Sequence, residues 1–109
     1  MAYRNRQLLD LAHRVTECQF QIPGHCEGFS QDGCEPAHSN HSWHGKGMGQ
    51  KARDYYHVAA CASCHRAYDG CGGFGREHRA ELFQAGWERT MALYWKNGWI
   101  GVTKEGKKR

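Results

Sequence analysis

Four cysteines form two pairs whose spacing suits the ligation of a metal ion. Cys61 and Cys64 belong to a Cys-Ala-Ser-Cys motif, and Cys18 and Cys26 lie on either side of a Pro-Gly turn. Two such pairs can supply the tetrahedral set of thiolates that binds structural zinc. Because the pairs are far apart in the chain, a shared zinc would contribute its binding free energy to folding. The sequence therefore predicts a structural zinc site at Cys18, Cys26, Cys61 and Cys64.

Two further cysteines, Cys34 and Cys71, leave alternatives open. Either thiol can replace Cys26 as a ligand, or both can serve as small hydrophobic side chains. A Cys-x-x-Cys motif is also found in redox proteins, but no βαβ pattern surrounds this one. We therefore favour the metal over the redox interpretation.

A second group of residues suits catalysis. His65 directly follows Cys64, and Asp69 comes four residues later, so the two side chains share one face of a helix. An imidazole and a carboxylate one turn apart can bind a divalent metal ion. His38 lies on a predicted strand before a glycine-rich loop. Because imidazole titrates near neutral pH, a histidine at such a place can act as a general base.

Hydrophobic periodicity predicts the elements that must position these residues. Apolar side chains at helical spacing predict a helix over residues 3–15 and a longer one over 76–97, which Gly98 ends. Residues 19–22 favour a β conformation within a hairpin-like knuckle, and short strands are predicted over 35–39 and 55–60. Another helix is predicted to begin at the Cys-x-x-Cys motif and to end at the glycines after Asp69. This order of elements indicates an α+β domain.

Length and composition limit the possible architectures. The chain has 109 residues, which predicts one domain over residues 1–102 and a basic, disordered tail over 103–109. Only 39% of the residues are hydrophobic and 14 are glycine, so the core is expected to be thin and to need a metal or disulfide. No segment resembles a transmembrane helix or a secretory signal. We therefore expect a cytoplasmic protein with reduced cysteines.

The charge distribution favours an anionic partner. The formal net charge is +4 with neutral histidines, which suits a nucleic acid. In the glycine-rich loop over residues 44–53, backbone N–H groups can approach a phosphate, and Lys46, Lys51 and Arg53 add positive charge. These three residues are predicted to contact the DNA backbone, although a mobile surface loop is an equal alternative. Trp43 can stack on a base or belong to the core.

Taken together, these motifs resemble the HNH endonucleases. The order Cys18, Cys26, PAHSN and VAACASCHRAYD is similar to that family, and more closely to small phage and prophage proteins assigned to it. The resemblance covers residues 16–102 and includes the C-terminal segment ERTMALYWKNGWI. It implies a small, zinc-stabilised ββα-metal domain with flanking N- and C-terminal helices.

The resemblance also implies an activity, the metal-dependent hydrolysis of DNA phosphodiester bonds. His38 matches the general base of the family, which would take a proton from the attacking water. His65 and Asp69 match ligands of a catalytic Mg²⁺, Mn²⁺, Ni²⁺ or Zn²⁺ ion. Such an ion stabilises charge on the phosphate and on the leaving oxygen.

The sequence departs from the family pattern beside the base and at the motif asparagine. Ala37 stands where another metal ligand is common; either Asn40 or His41 compensates, or the metal ion carries more water. Asp54 is the nearest polar residue to the position of the asparagine. Three other histidines lie close enough in the sequence to exchange roles with His38: His41, His44 and His57. For His44 and His57, an exposed polar position is the simpler interpretation.

These departures keep two other functions open. A non-catalytic zinc module could bind nucleic acid without cutting it. Alternatively, an aromatic C-terminal helix could make the protein an interaction adaptor, although such aromatic residues more often belong to a core. The residues concerned are Trp87, Trp95 and Trp99.

Overall fold

A computed structural model describes residues 4–41, 53–71 and 73–101, with the side chain of Cys71 left undescribed. The segments with predicted roles for Trp43, His44, Lys46 and Lys51, and the tail over 103–109, lie outside these residues. The described elements are α1 (Arg6–Asp10), followed by a 3₁₀ turn (Leu11–Arg14), β1 (Glu35–His38), β2 (His57–Ala60), α2 (Ala62–Arg66), followed by a π-helical turn (Ala67–Cys71), and α3 (Arg76–Lys96). The fold is therefore α+β, as the sequence predicts.

The two strands form an antiparallel hairpin at the centre of the molecule. Its register pairs Glu35 with Ala60 and His38 with His57. Because side chains alternate along a strand, the hairpin has two faces of different composition. The α2 face carries Glu35, Ala37, Val58 and Ala60, and the α1 face carries Pro36, His38, His57 and Ala59.

Each face of the hairpin covers its own hydrophobic cluster. On the α2 face, Ala37 and Val58 pack with the rings of Phe20, Tyr68 and Phe83. On the α1 face, Ala59 packs with a cluster from the 3₁₀ turn, the segment between that turn and β1, and α3: Leu11, Ala12, Val15, Cys34 and Tyr94. Because β2 lies between both clusters, all four of its residues are buried, which explains its apolar run.

The long helix α3 holds the hairpin and the first cysteine segment together. Gly86 allows close packing, since a Cβ atom there would lie 3.0 Å from a methyl group of Val58. One turn later, Arg89 donates through Nε to the carbonyl of Gln19 at 2.8 Å and through Nη2 to that of Phe20 at 2.9 Å. The helix ends at Lys96, and Gly98 follows with a φ of 71°.

Two local expectations need correction. Residues 19–22 form no strand, because Gln21 adopts a φ of 53°, which is incompatible with an extended chain. The helix predicted over 3–15 is shorter and tightens into the 3₁₀ turn from Leu11. Among the described residues, no helix is long and apolar enough to cross a membrane.

Candidate metal centre and histidine clusters

The structure brings together the four cysteines that the sequence groups as zinc ligands. The Sγ atoms of Cys18, Cys26, Cys61 and Cys64 all lie within 4.8 Å of one another. Three of the side chains are buried and Cys26 is half-buried. The cluster therefore joins the segment before β1 to the start of α2.

The first cysteine pair is held by a compact knuckle. Cys18 donates its N–H to the carbonyl of Gly28 at 2.9 Å, and the N–H of Cys26 donates to the carbonyl of Ile22 at 2.9 Å. The side chains of Phe20 and Ile22 are fully buried and anchor the knuckle in the core. The hairpin-like knuckle expected from the sequence thus forms without a strand over residues 19–22.

Backbone N–H groups point at the sulfur atoms of the cluster. Such hydrogen bonds favour the thiolate form, which is the form that ligates a metal. The contacts are Gly28 N–H to Cys26 Sγ at 3.2 Å, Cys61 N–H to Cys18 Sγ at 3.2 Å, and the N–H groups of Glu27 and Cys64 to Cys61 Sγ at 3.4 Å each. A set of four sulfur donors, mostly buried and supported by N–H groups, fits zinc well.

The pKa shifts of the thiols also favour a metal site. The hydrogen bond from the Cys64 thiol, helped by backbone N–H groups, lowers the pKa of Cys18 to about 4 against the effect of burial. The same pairing with Cys18, together with burial, raises the pKa of Cys64. Without a cation, crowding of the sulfurs thus lets one thiol ionise at the expense of another. A divalent metal ion would stabilise all four thiolates at once.

Cys34 lies outside the sulfur cluster. It is fully buried on the α1 face beside Tyr94, and burial raises the pKa of its thiol to about 11. Of the two interpretations left open by the sequence, the structure thus supports the small hydrophobic side chain at this position.

His38 is paired with Asp54 at the end of the hairpin. Nε2 of His38 lies 3.1 Å from Oδ1 of Asp54, which also receives Arg4 at 3.5 Å. The backbone N–H of Asn5 donates to Oδ2 at 2.5 Å. Burial alone would raise the pKa of Asp54, but these donors together lower it below its ordinary value. Asp54 therefore remains ionised and orients the imidazole.

His57 continues this polar network into the core. Its Nδ1 donates to the carbonyl of Asp54 at 2.6 Å, and its Nε2 accepts the hydroxyl of Tyr94 at 2.9 Å. Burial lowers the pKa of His57 to about 4, so the ring is neutral at physiological pH. The expectation of an exposed residue is wrong, because the register with His38 places His57 under α3.

His65 lies between two carboxylates. Its Nδ1 lies 2.7 Å from Oε1 of Glu35, and its Nε2 lies 3.4 Å from Oδ2 of Asp69. Asn40 donates from its side chain to Oδ1 of Asp69 at 3.3 Å. The predicted His65–Asp69 pair is thus formed, and Asn40 supports it. Metal-bound histidines commonly donate their second nitrogen to a carboxylate, and Glu35 is placed for that role.

Sequence reasoning missed Glu35. Its contact with His65 depends on the pairing of Glu35 with Ala60, which brings the first residue of β1 beside the start of α2. The alternation of side chains along β1 was the available signal, since it places Glu35 and Ala37 on one face.

The two histidine pairs are distinct. His38 contacts Asp54, whereas His65 contacts Glu35 and Asp69. His38 belongs to the α1 face, whereas Glu35, the partner of His65, belongs to the α2 face. An active site that uses both pairs would have to span the end of the short strand β1.

Residues considered as replacements for the ligand missing at Ala37 have other surroundings. Ala37 is buried in the core of the α2 face. His41 is also buried, with its ring 6.2 Å from those of Tyr68 and Phe83. Burial, together with Arg79 and Arg76, lowers the pKa of His41. Of Asn40 and His41, Asn40 contacts a predicted metal ligand, Asp69, within the described part of the chain.

The other residues with predicted contacts, Arg53 and the C-terminal tryptophans, differ in how far they are buried. Arg53 is half-buried at the start of the segment that leads to β2. Of the C-terminal aromatic residues, Trp87 packs on the core and donates to the carbonyl of Tyr55 at 2.7 Å, and Trp99 stacks under Arg14 at 5.3 Å. Trp95 is 59% exposed.

Comparisons with protein-family models, with curated proteins and with solved structures found no match for this chain.

Proposed function

We propose that this protein is a metal-dependent endonuclease of the HNH type, stabilised by a structural zinc ion. The observation that carries the proposal is the contact of His38 Nε2 with Asp54 at 3.1 Å. Asp54 is the residue nearest to the position of the family's asparagine, and it contacts the residue that matches the family's general base. The order of β1, β2 and a helix that begins at Cys61 and Cys64 agrees with a ββα-metal arrangement.

Zinc at the cysteine cluster would serve the fold rather than the chemistry. All four coordination positions would be filled by sulfur, which is typical of structural sites and leaves no position for water. The ion would link the knuckle to α2 and so fix the hairpin between them. This link is needed because the core divides into two small clusters.

The His38–Asp54 pair suits proton transfer from water. The ionised Asp54 accepts the Nε2–H of His38, which leaves Nδ1 as the basic nitrogen. Nδ1 would take the proton of a water molecule as its oxygen attacks the phosphorus, and the bond to the leaving oxygen breaks. Asp54 also stabilises the imidazolium that forms.

His65 and Asp69 are the residues that would hold the catalytic divalent ion, with Glu35 and Asn40 orienting them. When bound, such an ion supplies positive charge to the phosphate and to the leaving oxygen. In an in-line displacement, His38 and an ion held by His65 and Asp69 would act on opposite sides of the phosphorus, so the two histidine pairs need no contact with each other.

A second function, nucleic-acid binding without cleavage, is favoured by a different observation. Ala37 supplies no ligand and is buried in the core, and the two histidine pairs belong to opposite faces of the hairpin. If the two faces do not meet at one phosphate, the zinc-supported surface would still bind nucleic acid through its basic residues.

Plasmid nicking in Mg²⁺ or Mn²⁺ separates the two functions. We expect His38→Ala to reduce the nicking rate by about 10²–10⁴-fold, which is the usual contribution of a general base. His78→Ala is the matched control, because His78 is exposed on α3 and packs only against the ring of Phe74 in the described structure. Nicking that survives His38→Ala would contradict the base assignment. Binding of DNA without nicking in any metal would favour the second function.

A further inference from the structure

A cleft of about 420 Å³ opens beside His38, between α1 and the hairpin. It lies on the α1 face, and its polar lining comprises Arg4, Arg6, Asp10, His13, His38 and Asp54. Most of these residues belong to the N-terminal segment, to which the sequence assigned no functional role. If His38 is a general base, the group on which it acts must enter this cleft.

One residue fixes the N-terminal segment at the cleft. The backbone N–H of Asn5 donates to Asp54, and the side chain of Asn5 accepts the N–H of Leu8 at 3.1 Å, which caps α1. Arg4 and Arg6 flank this anchor in the chain. The contact that orients the partner of His38 therefore also delivers two guanidinium groups to the cleft.

The basic side chains of the cleft differ in whether they already form ion pairs or hydrogen bonds. Arg4 is paired with Asp54 at 3.5 Å. The side chains of Arg6 and His13, in contrast, make no hydrogen bond or ion pair within residues 4–41, 53–71 and 73–101. Asp10 is exposed at the same cleft and opposes an anion. Asp54 opposes an anion less, because Arg4 partly neutralises its charge and the N–H groups of His38 and Asn5 already bind its oxygens.

We infer that this cleft binds a phosphate group of a nucleic-acid backbone, with Arg6 and His13 as its contacts. Guanidinium is the side-chain group best matched to phosphate oxygens, and a second donor from the same segment fixes orientation. The inference rests on the proposed function for its substrate class. It adds that the nucleic acid extends over the α1 face beyond the scissile phosphate and there contacts the N-terminal segment.

The test compares Arg6→Gln with Arg66→Gln by fluorescence anisotropy on a labelled 16-base-pair DNA duplex, over a salt series. Both arginines are exposed and lie on short helices, but Arg66 belongs to α2. We expect Arg6→Gln to weaken binding about three- to tenfold at low salt and to reduce the slope of log K against log salt by about 1. Arg66→Gln should leave both quantities close to those of the wild-type protein. Adding His13→Gln to Arg6→Gln should weaken binding further.

Several results would overturn the inference. These are an unchanged slope for Arg6→Gln, an equal loss for both arginine variants, a loss confined to Arg66→Gln, and no duplex binding by the wild-type protein. Unchanged zinc content and circular dichroism would show that the variants are folded. The nicking assay remains independent. If Arg6→Gln weakens binding but the wild-type protein never nicks DNA, the phosphate site stands and the nuclease proposal fails. If Arg6→Gln binds and nicks DNA like the wild-type protein, the nuclease proposal stands and the phosphate site fails.

Discussion

The cysteine cluster and the histidine pairs are built in different ways. The cysteine sulfurs are mostly buried, and the hydrogen-bond donors around them are largely backbone N–H groups. The histidine pairs are side chain to side chain, and His65, Glu35 and Asp69 are each at least a quarter exposed. A site held by backbone groups is fixed once the chain folds. A site held by exposed side chains can rearrange around a ligand.

Under the proposed function, the cysteine cluster serves stability and the histidine pairs serve catalysis. The cysteine cluster joins segments that are otherwise linked mainly through the core and through Arg89. The network of His38, Asp54 and His57 reaches from the cleft beside His38 to the buried ring of His57. It therefore contributes both to the proposed site and to the stability of the fold. Experiments that remove single members of each region can separate these contributions.

The largest effect is expected from Cys61→Ser, which removes one sulfur ligand, the atom that accepts the N–H groups of Glu27 and Cys64. Structural zinc contributes on the order of 10 kcal/mol in small domains, comparable to the whole stability of a protein. We expect the variant to lose zinc, by mass spectrometry of metal content, and to lose its thermal unfolding transition. Cys34→Ala is the control, because Cys34 is buried outside the cluster, and it should retain one zinc per chain. A folded, metal-free Cys61→Ser protein would contradict the structural role.

The next largest effect concerns His57 and pH. Its pKa is lowered to about 4 in the folded protein from an ordinary value of 6.5, so the unfolded chain binds more protons between these values. The stability that neutral His57 contributes is therefore fully present above about pH 6.5 and falls as the pH decreases toward 4, by about 3 kcal/mol.

The measurement is urea unfolding between pH 7 and 4.5 for the wild-type protein and for His57→Gln. Acid also releases zinc from thiolates, so only the difference between the two proteins reports on His57. We expect a shallower pH dependence in His57→Gln. Identical pH dependences would mean that the ring is not buried in its neutral form.

A smaller effect is expected from Arg89→Met, which keeps the aliphatic packing but removes two hydrogen bonds to the carbonyls of Gln19 and Phe20. We expect a loss of about 2 kcal/mol in the free energy of unfolding, since hydrogen bonds to charged groups are stronger than average. Arg76→Met, at the exposed start of α3, should change stability little. Equal effects of the two substitutions would remove α3 as a support of the knuckle.

The smallest effect is expected from Glu35→Gln. The amide can still accept the Nδ1–H of His65, but it lacks the negative charge that makes the ring a better ligand. We expect about tenfold weaker binding of Mn²⁺ at His65 and Asp69, measured by electron paramagnetic resonance on the zinc-loaded protein. Glu17→Gln, an exposed residue of the knuckle, is the control. Unchanged Mn²⁺ affinity in Glu35→Gln would make the contact with His65 merely an ion pair.

Local patterns in the sequence were sufficient for α3 and for the two strands of the sheet. The period of apolar residues predicts α3 within one residue of its observed end, and the apolar run before Cys61 predicts β2. The 19–22 segment failed because a β-prone composition does not reveal the positive φ of Gln21, which the knuckle imposes.

The site was predictable in so far as its chemistry is local. Cysteine spacing identified the four sulfurs, and helical periodicity identified the His65–Asp69 pair. The partners of these groups were not predictable: Asp54 as the partner of His38, Glu35 as the partner of His65, and Tyr94 as the partner of His57. Each of these contacts joins residues 16 to 37 positions apart.

By itself, the sequence determined the kinds of donor available, the α+β order of elements and the grouping of the cysteines, because these follow from residue type and short-range spacing. The tertiary structure alone decided that His38 and His65 lie on different faces of the hairpin, that His57 is buried, and that the N-terminal segment closes a cleft beside His38. The physical reason is strand register. A shift of one residue between β1 and β2 would move the side chains of the shifted strand to the other face, and residues 39–56 separate the two strands, so no two-residue turn fixes that register.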